Sequence, residues 1–103
     1  MTKTSFQDII NSDIPVLIDF YADWCGPCRM VTPILNEIKN ELGEQVKIVK
    51  IDVDRNQAIA QKLDVRSIPT LMIYQHGELK WRVAGVQSKS VIVNQLQSLM
   101  TEA

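Results

Sequence analysis

The cysteine motif Trp24-Cys25-Gly26-Pro27-Cys28 contains both cysteines of the chain. Two thiols three residues apart can close a small disulfide, provided the turn between them brings the sulfurs together. Pro27 suits the first turn of a helix, and Gly26 lets another backbone approach closely. We therefore expect Cys25 at the N-terminus of a helix as a reactive thiolate, with Cys28 one turn behind it and less exposed.

The sequence on either side of the motif predicts a strand, a helix and a second strand. Residues 15–21 are nearly all apolar and rich in β-branched and aromatic side chains, which is typical of a buried strand. After the motif, apolar residues recur at helical spacing as far as Gly43: Met30, Val31, Ile34, Leu35, Ile38 and Leu42. Residues 46–51 form the second strand. Such a unit has parallel strands and a right-handed connection, and it places the motif just past the carboxyl end of the first strand, where open α/β sheets put their active sites.

The remaining residues predict a hairpin and further helices. Short helices are expected near 5–11 and 58–63, and a last helix follows Ser88. Strands at 71–74 and 79–83 flank His76-Gly77, a two-residue turn. The sequence therefore predicts an α/β fold with a central mixed sheet of four strands and helices on both faces.

Size and charge exclude several classes of protein. The 103 residues suffice for one domain, 1–103, and no second. Eleven basic and twelve acidic residues give a net charge of −1, which argues against nucleic-acid binding. The N-terminus has no apolar signal segment, and Asp19 interrupts the longest apolar run, so we expect a cytoplasmic protein without a membrane span. In a reducing compartment, a cysteine pair is redox-catalytic or metal-binding rather than a structural disulfide.

Cys25 and Cys28 have three interpretations. As a redox pair, Cys25 attacks a disulfide and Cys28 resolves the mixed disulfide that results. As structural residues, they would be buried free cysteines. A zinc site needs about four ligands, and the other soft candidate is His76 in the hairpin turn, so we expect no metal.

Asp19 is the residue least expected in a buried strand. A buried carboxylate costs free energy unless it is neutral or paired, and Asp19 lies six residues before Cys25. We expect it to exchange the proton of Cys28 during resolution. The alternative is a side chain that points to solvent. Lys50, in the neighbouring strand, could pair with Asp19, or it could be a solvated surface charge.

The chain resembles the thioredoxin family along nearly its whole length. The resemblance rests on the cysteine motif, Asp19, Pro33, Ile68-Pro69-Thr70 and Gly85. Family members usually begin with a strand, which here only residues 1–3 could form, so a fifth strand would be very short or missing. Tyr21 replaces a tryptophan found in many relatives, and Trp81 is not a family hallmark. Neither Tyr21 nor Trp81 is expected to take part in the redox reaction.

The resemblance also implies roles for residues around the cysteines. Lys50 would be the charge partner of Asp19, and a cis Ile68–Pro69 bond would face the motif. Ile68, Pro69 and Gly85 would form the walls of a groove for an extended substrate, while Trp24, Gly26 and Pro27 would contact that substrate from the motif.

The family resemblance implies a thioredoxin fold and a general protein-disulfide reductase. Its partners would be disulfide-containing proteins and a thioredoxin reductase. NADPH would act only through that reductase, because the chain has no glycine-rich dinucleotide motif and should bind no cofactor. We expect a monomer. The alternatives are a disulfide oxidase or isomerase of the same fold, which the uncharged Gly26-Pro27 disfavours, and a non-catalytic binding module.

Overall fold

The computed structural model describes residues 5–100. All the elements expected from the sequence are present within this range, with bounds close to those predicted. In chain order they are α1 (Phe6–Ile10), β1 (Val16–Tyr21), α2 (Gly26–Leu42), β2 (Lys47–Asp52), α3 (Gln57–Lys62), β3 (Thr70–Gln75), β4 (Glu78–Ala84) and α4 (Lys89–Met100). A single 3₁₀ turn, Gly43–Gln45, joins α2 to β2.

The strands of the described residues form one mixed sheet in the order β2-β1-β3-β4. β1 is parallel to β2 and antiparallel to β3, and β3 is antiparallel to β4. This confirms the predicted mixed sheet and the parallel β1-α2-β2 unit. Residues 1–3, where a fifth strand would be very short or missing, lie outside the described residues.

Helices cover both faces of the sheet, as predicted. On one face, α2 and α4 pack against alternate residues of the strands, and the buried cluster includes Leu17, Leu35, Ile38, Leu71 and Ile92. On the other face, α1 and the region around α3 cover a second cluster that includes Ile18, Phe20 and Met72. Because successive strand residues point to opposite faces and both faces are covered, β3 is buried throughout, and β1 is buried except at its last residue, Tyr21.

Met30 does not belong to the buried face of α2, contrary to the sequence prediction. Its side chain is 64% exposed, whereas Val31, Leu35, Ile38 and Leu42 are buried. At 3.6 residues per turn these four share one narrow stripe, and Met30 lies roughly a quarter turn to one side of it. An apolar residue at the margin of a helical face is therefore not always covered.

The strand register brings three segments to one edge of the sheet. Phe20, near the end of β1, pairs with Thr70 at the start of β3, and Thr70 pairs with Ala84 at the end of β4. The cysteine motif after β1, Pro69 before β3 and Gly85 after β4 therefore meet at this edge. No helix within residues 5–100 is long and apolar enough to cross a membrane.

Candidate active site at the carboxyl end of β1

Cys25 is the N-cap residue of α2. Its backbone is extended, Pro27 occupies the first helical turn, and the Cys28 backbone N–H donates to Cys25 Sγ over 3.2 Å. The free N–H groups of a first helical turn and the positive end of the helix dipole both favour a negative charge at this position. The site is therefore built to stabilise a thiolate on Cys25 once the pair is reduced, as the sequence predicted.

Cys25 and Cys28 are joined by a disulfide, with their Cα atoms 5.3 Å apart. Cys28 was expected to be less exposed than Cys25, and this is wrong: the two residues are 3% and 4% exposed. The reason is that Cys25 is itself covered. Together with Ala22 the two cysteines form a small buried cluster, against which Ile68 and Val53 pack.

The segment before β3 forms a wall beside Cys25. The Ile68–Pro69 peptide bond is cis, as the family resemblance implied, and the Ile68 carbonyl oxygen lies 3.8 Å from Cys25 Sγ. The Gly85 N–H donates to the Pro69 carbonyl oxygen over 2.8 Å. Gly85 has a φ of +92°, a backbone conformation that residues other than glycine rarely adopt. A Cβ at this position would meet open space, so the backbone angle and not crowding favours glycine. The structure thus brings Ile68, Pro69 and Gly85 together at the motif.

Trp24 lies on the surface and not in the core. Its side chain is 70% exposed, and its indole N–H donates to Asp54 Oδ2 over 2.8 Å. Asp54 is held in turn because its own N–H donates to the Asp52 carboxylate over 2.9 Å. This contact between the motif and the loop after β2 was not predicted, since nothing in the local sequence connects residues 30 positions apart.

Asp19 is completely buried on the face of β1 that α2 covers, which excludes the solvent-facing alternative. Among the described residues, no hydrogen-bond donor reaches either of its carboxylate oxygens. Burial, opposed in part by the nearby positive charge of Lys50, raises the pKa of Asp19 from 3.8 to about 6. At neutral pH this carboxyl group can therefore both accept and release a proton.

Lys50 pairs with Asp19 in the register of β1 and β2, but its ammonium group is not bonded to the carboxylate. The Nζ atom donates to Thr32 Oγ1 over 3.0 Å and lies 4.7 Å from the centre of the Tyr21 ring. The interaction with Asp19 is thus electrostatic and indirect. Sequence reasoning did not find Thr32, and it assigned no role to Tyr21.

A cavity of about 160 Å³ leads to the rear of the cysteine motif. Cys28 lines it together with Lys50, Thr32 and Tyr21, and the rest of its lining consists of Ala22, Asp23 and Arg29. A cavity of this size, lined by polar groups, has room for water. Cys28 therefore lies next to a polar cavity that can hold water.

His76 lies in the turn between β3 and β4, at the opposite end of the sheet from the motif. Its φ is +56°, and its Nδ1 atom is 3.5 Å from an Asp13 carboxylate oxygen. Within residues 5–100, no three His, Cys, Asp or Glu side chains come close enough to hold a metal ion. His76 therefore cannot complete a zinc site with the two cysteines.

Comparison with known proteins shows which family the chain belongs to. The thioredoxin family model matches residues 1–98. The chain belongs to the thioredoxin family. It is 44% identical over 95 residues to the thioredoxin of Rickettsia felis, covering 91% of this chain and 90% of that one. Thioredoxin 1 of Synechococcus elongatus is 47% identical over 97 residues, covering 93% of this chain and 91% of that protein.

Solved thioredoxin structures have the same fold. A mutant thioredoxin from Halobacterium salinarum superimposes with a TM-score of 0.85 at 36% identity, covering 99% of this chain and 88% of that one. Oxidised mitochondrial thioredoxin from Saccharomyces cerevisiae gives 0.81 at 31% identity, covering 90% and 86%. This thioredoxin-family protein is a dithiol protein-disulfide reductase, and Cys25–Cys28 is its redox-active disulfide.

Proposed function

We propose that Cys25 attacks the substrate disulfide and that Cys28 resolves the mixed disulfide. The observation that carries this assignment is the position of Cys25 Sγ at the helix N-cap, where it accepts the Cys28 N–H. Cys28 lies within the first turn of α2 and is not its N-cap residue. The thiolate is the species that attacks a disulfide, so the cysteine with the stabilised thiolate attacks first.

The electrons and protons balance over two exchange steps. In the first, the Cys25 thiolate forms a bond to one substrate sulfur, the substrate disulfide breaks, and the other substrate sulfur leaves as a thiolate. In the second, Cys28 loses its proton and attacks Cys25 Sγ, which closes the Cys25–Cys28 disulfide and releases the second substrate thiolate. The substrate gains two electrons, and the protein loses two.

Asp19, buried on the face of β1 that α2 covers, accepts the proton of Cys28 in the second step. Its pKa of about 6 leaves it largely ionised at neutral pH, but close enough to neutrality to return the proton. Burial raises this pKa, and the charge of Lys50 lowers it in part. Support comes from Lys50, which is paired with Asp19 in the sheet and lines the cavity beside Cys28.

The substrate binds across the motif and the two loops beside it. Trp24, Gly26 and Pro27 contact it on one side, while Ile68, Pro69 and Gly85 flank the attacking sulfur on the other. Exposed apolar side chains at Trp24, Met30 and Val86 add apolar surface close in sequence to these residues. Exposed apolar groups of this kind are typical of protein-binding surfaces, and they suit an unfolded or extended segment around the target disulfide.

The cellular setting is part of the same proposal. Residues 1–103 form one monomeric domain in the cytoplasm. A flavoprotein thioredoxin reductase returns Cys25–Cys28 to the dithiol with electrons from NADPH. The support for this setting is the similarity to the thioredoxins of Rickettsia felis and Synechococcus elongatus, of which the chain covers 90% and 91%.

A coupled assay tests the function. NADPH, a bacterial thioredoxin reductase and insulin as the disulfide-bonded probe should turn over with the wild-type protein. Cys25→Ser and Cys28→Ser should each abolish turnover, because each removes one of the two exchange steps. His76→Asn is the matched control, since Asn tolerates the positive φ at this remote turn, and it should retain full activity. Absence of turnover with the wild-type protein, or full turnover with Cys25→Ser, would contradict the proposal.

A further inference from the structure

The side chain of Lys50 is held by two residues that belong to different elements. Its Nζ atom donates to Thr32 Oγ1 from α2, and it lies over the Tyr21 ring at the end of β1. Thr32 lies one helical turn after Cys28, on the same side of α2, and both residues line the cavity behind the motif. The ammonium group is therefore fixed at the wall of this cavity.

Lys50 and Asp19 point to the same face of the sheet. They are directly paired in the parallel register, and Leu17 and Ile48, two residues earlier in each strand, both belong to the cluster beneath α2. The carboxylate is buried without a hydrogen bond, so its environment depends on charges that stand near it but do not touch it. Lys50 supplies such a charge only as long as its side chain stays in place.

We propose that Thr32 and Tyr21 are positioning residues that hold the Lys50 ammonium group beside Asp19, and that they thereby control how readily Asp19 exchanges a proton. Lys50 is an exposed residue with a flexible four-carbon side chain. Without the hydroxyl group and the aromatic ring, the ammonium group would spend most of its time in water. The favourable interaction with the Asp19 carboxylate would weaken, because the charges would be farther apart and better screened.

Among the described residues, the charge that shifts the pKa of Asp19 is that of Lys50. Arg29 and Asp23 line the cavity, and the Arg29 guanidinium donates to the Asp23 backbone carbonyl over 3.1 Å. Asp52, at the end of β2, accepts the N–H groups of the loop that follows. From β3, the residue paired with Asp19 is the apolar Leu71. Cys28 becomes ionisable only in the reduced protein, so the oxidised protein isolates the effect of Lys50.

The test is the pKa of Asp19 in the oxidised protein, measured from the pH dependence of its carboxyl ¹³C resonance. Thr32→Val removes the hydroxyl group at constant shape, and Tyr21→Leu removes the ring. Each should raise the pKa, by less than Lys50→Met does. Thr32→Ser and Tyr21→Phe are matched controls that keep the hydroxyl group and the ring, and both should titrate like the wild type.

A second arm shows whether the effect passes through Lys50. In the Lys50→Met background, Thr32→Val and Tyr21→Leu should cause no further rise in the pKa of Asp19. An unchanged or lowered pKa in either single variant overturns the proposal, and so does an equal rise in the Lys50→Met background. The inference rests on the proposed role of Asp19. Because the titration needs no turnover, its failure would leave the result of the coupled assay unaffected.

Discussion

At the scale of single residues, Asp19 determines how the fold responds to pH. It is a fully buried carboxyl group without a hydrogen bond from any described residue, placed in the middle of the central strand β1. Burial raises its pKa from 3.8 to about 6, so between these values the folded protein keeps a proton that the unfolded chain has lost. The contribution of Asp19 to stability is therefore fully present below the lower value and is lost as the pH rises through the upper one.

The first prediction concerns this pH dependence. One pKa unit corresponds to about 1.4 kcal/mol, so ionising Asp19 should lower the free energy of unfolding by about 3 kcal/mol above its folded-state pKa. Asp19→Asn, which cannot ionise, should remove most of this loss. Urea unfolding of both oxidised proteins across the interval would show the wild-type free energy falling relative to that of the variant. Parallel curves for the two proteins would contradict the assignment.

Asp19 could be found from the sequence because it violates a local rule, being a charge within an apolar strand. The role proposed for Thr32 could not be found in this way. It depends on where the flexible side chain of Lys50 ends, 18 residues away along the chain. The same limit applies to Asp54, whose bond to Trp24 joins two loops. Local patterns identify unusual residues, whereas their partners are determined by packing.

At the scale of elements, α2 connects the core to the chemistry. Its first turn holds the disulfide, and its buried stripe packs against the sheet and α4. The sequence predicted this helix, its N-cap and its burial correctly except at Met30. The error arose because apolar spacing defines the centre of a helical face more sharply than its margins.

The second prediction uses this difference within one helix. Ile38→Ala removes a fully buried side chain and should lower the free energy of unfolding by about 2 to 5 kcal/mol, since it leaves a cavity in the core. Met30→Ala, on the exposed side of α2, should change it by less than about 0.5 kcal/mol. Denaturant unfolding of both variants provides the comparison. A similar loss in both would show that the buried face of α2 has been assigned incorrectly.

The loops around the site depend on long-range bonds. Arg82 of β4 donates to the backbone carbonyls of Leu63 and Asp64, which begin the segment leading to Ile68 and Pro69. The Gly85 N–H bonds the same segment near its end. The sequence predicted where this segment lies along the chain, but its cis bond came from the family resemblance, because a bare X–Pro sequence favours the trans form.

At the scale of the whole molecule, the sheet order brings distant parts of the sequence to one site. The motif follows β1, but its neighbours precede β3 and follow β4, and they meet because these strands are adjacent in the sheet. The predicted parallel unit and hairpin were enough to give the fold class. The order of the strands, and hence the composition of the site wall, follows from pairings between strands that are far apart in sequence.

The central claim is that Cys25 attacks and Cys28 resolves. The most direct measurement is to react reduced Cys28→Ser with insulin, quench the mixture in acid, and locate the mixed disulfides by peptide mass spectrometry. The adduct should accumulate on Cys25, because the resolving thiol is absent. In the matched Cys25→Ser variant, Cys28 should form adducts far more slowly. Adducts that form on Cys28 as fast as on Cys25 would contradict the account.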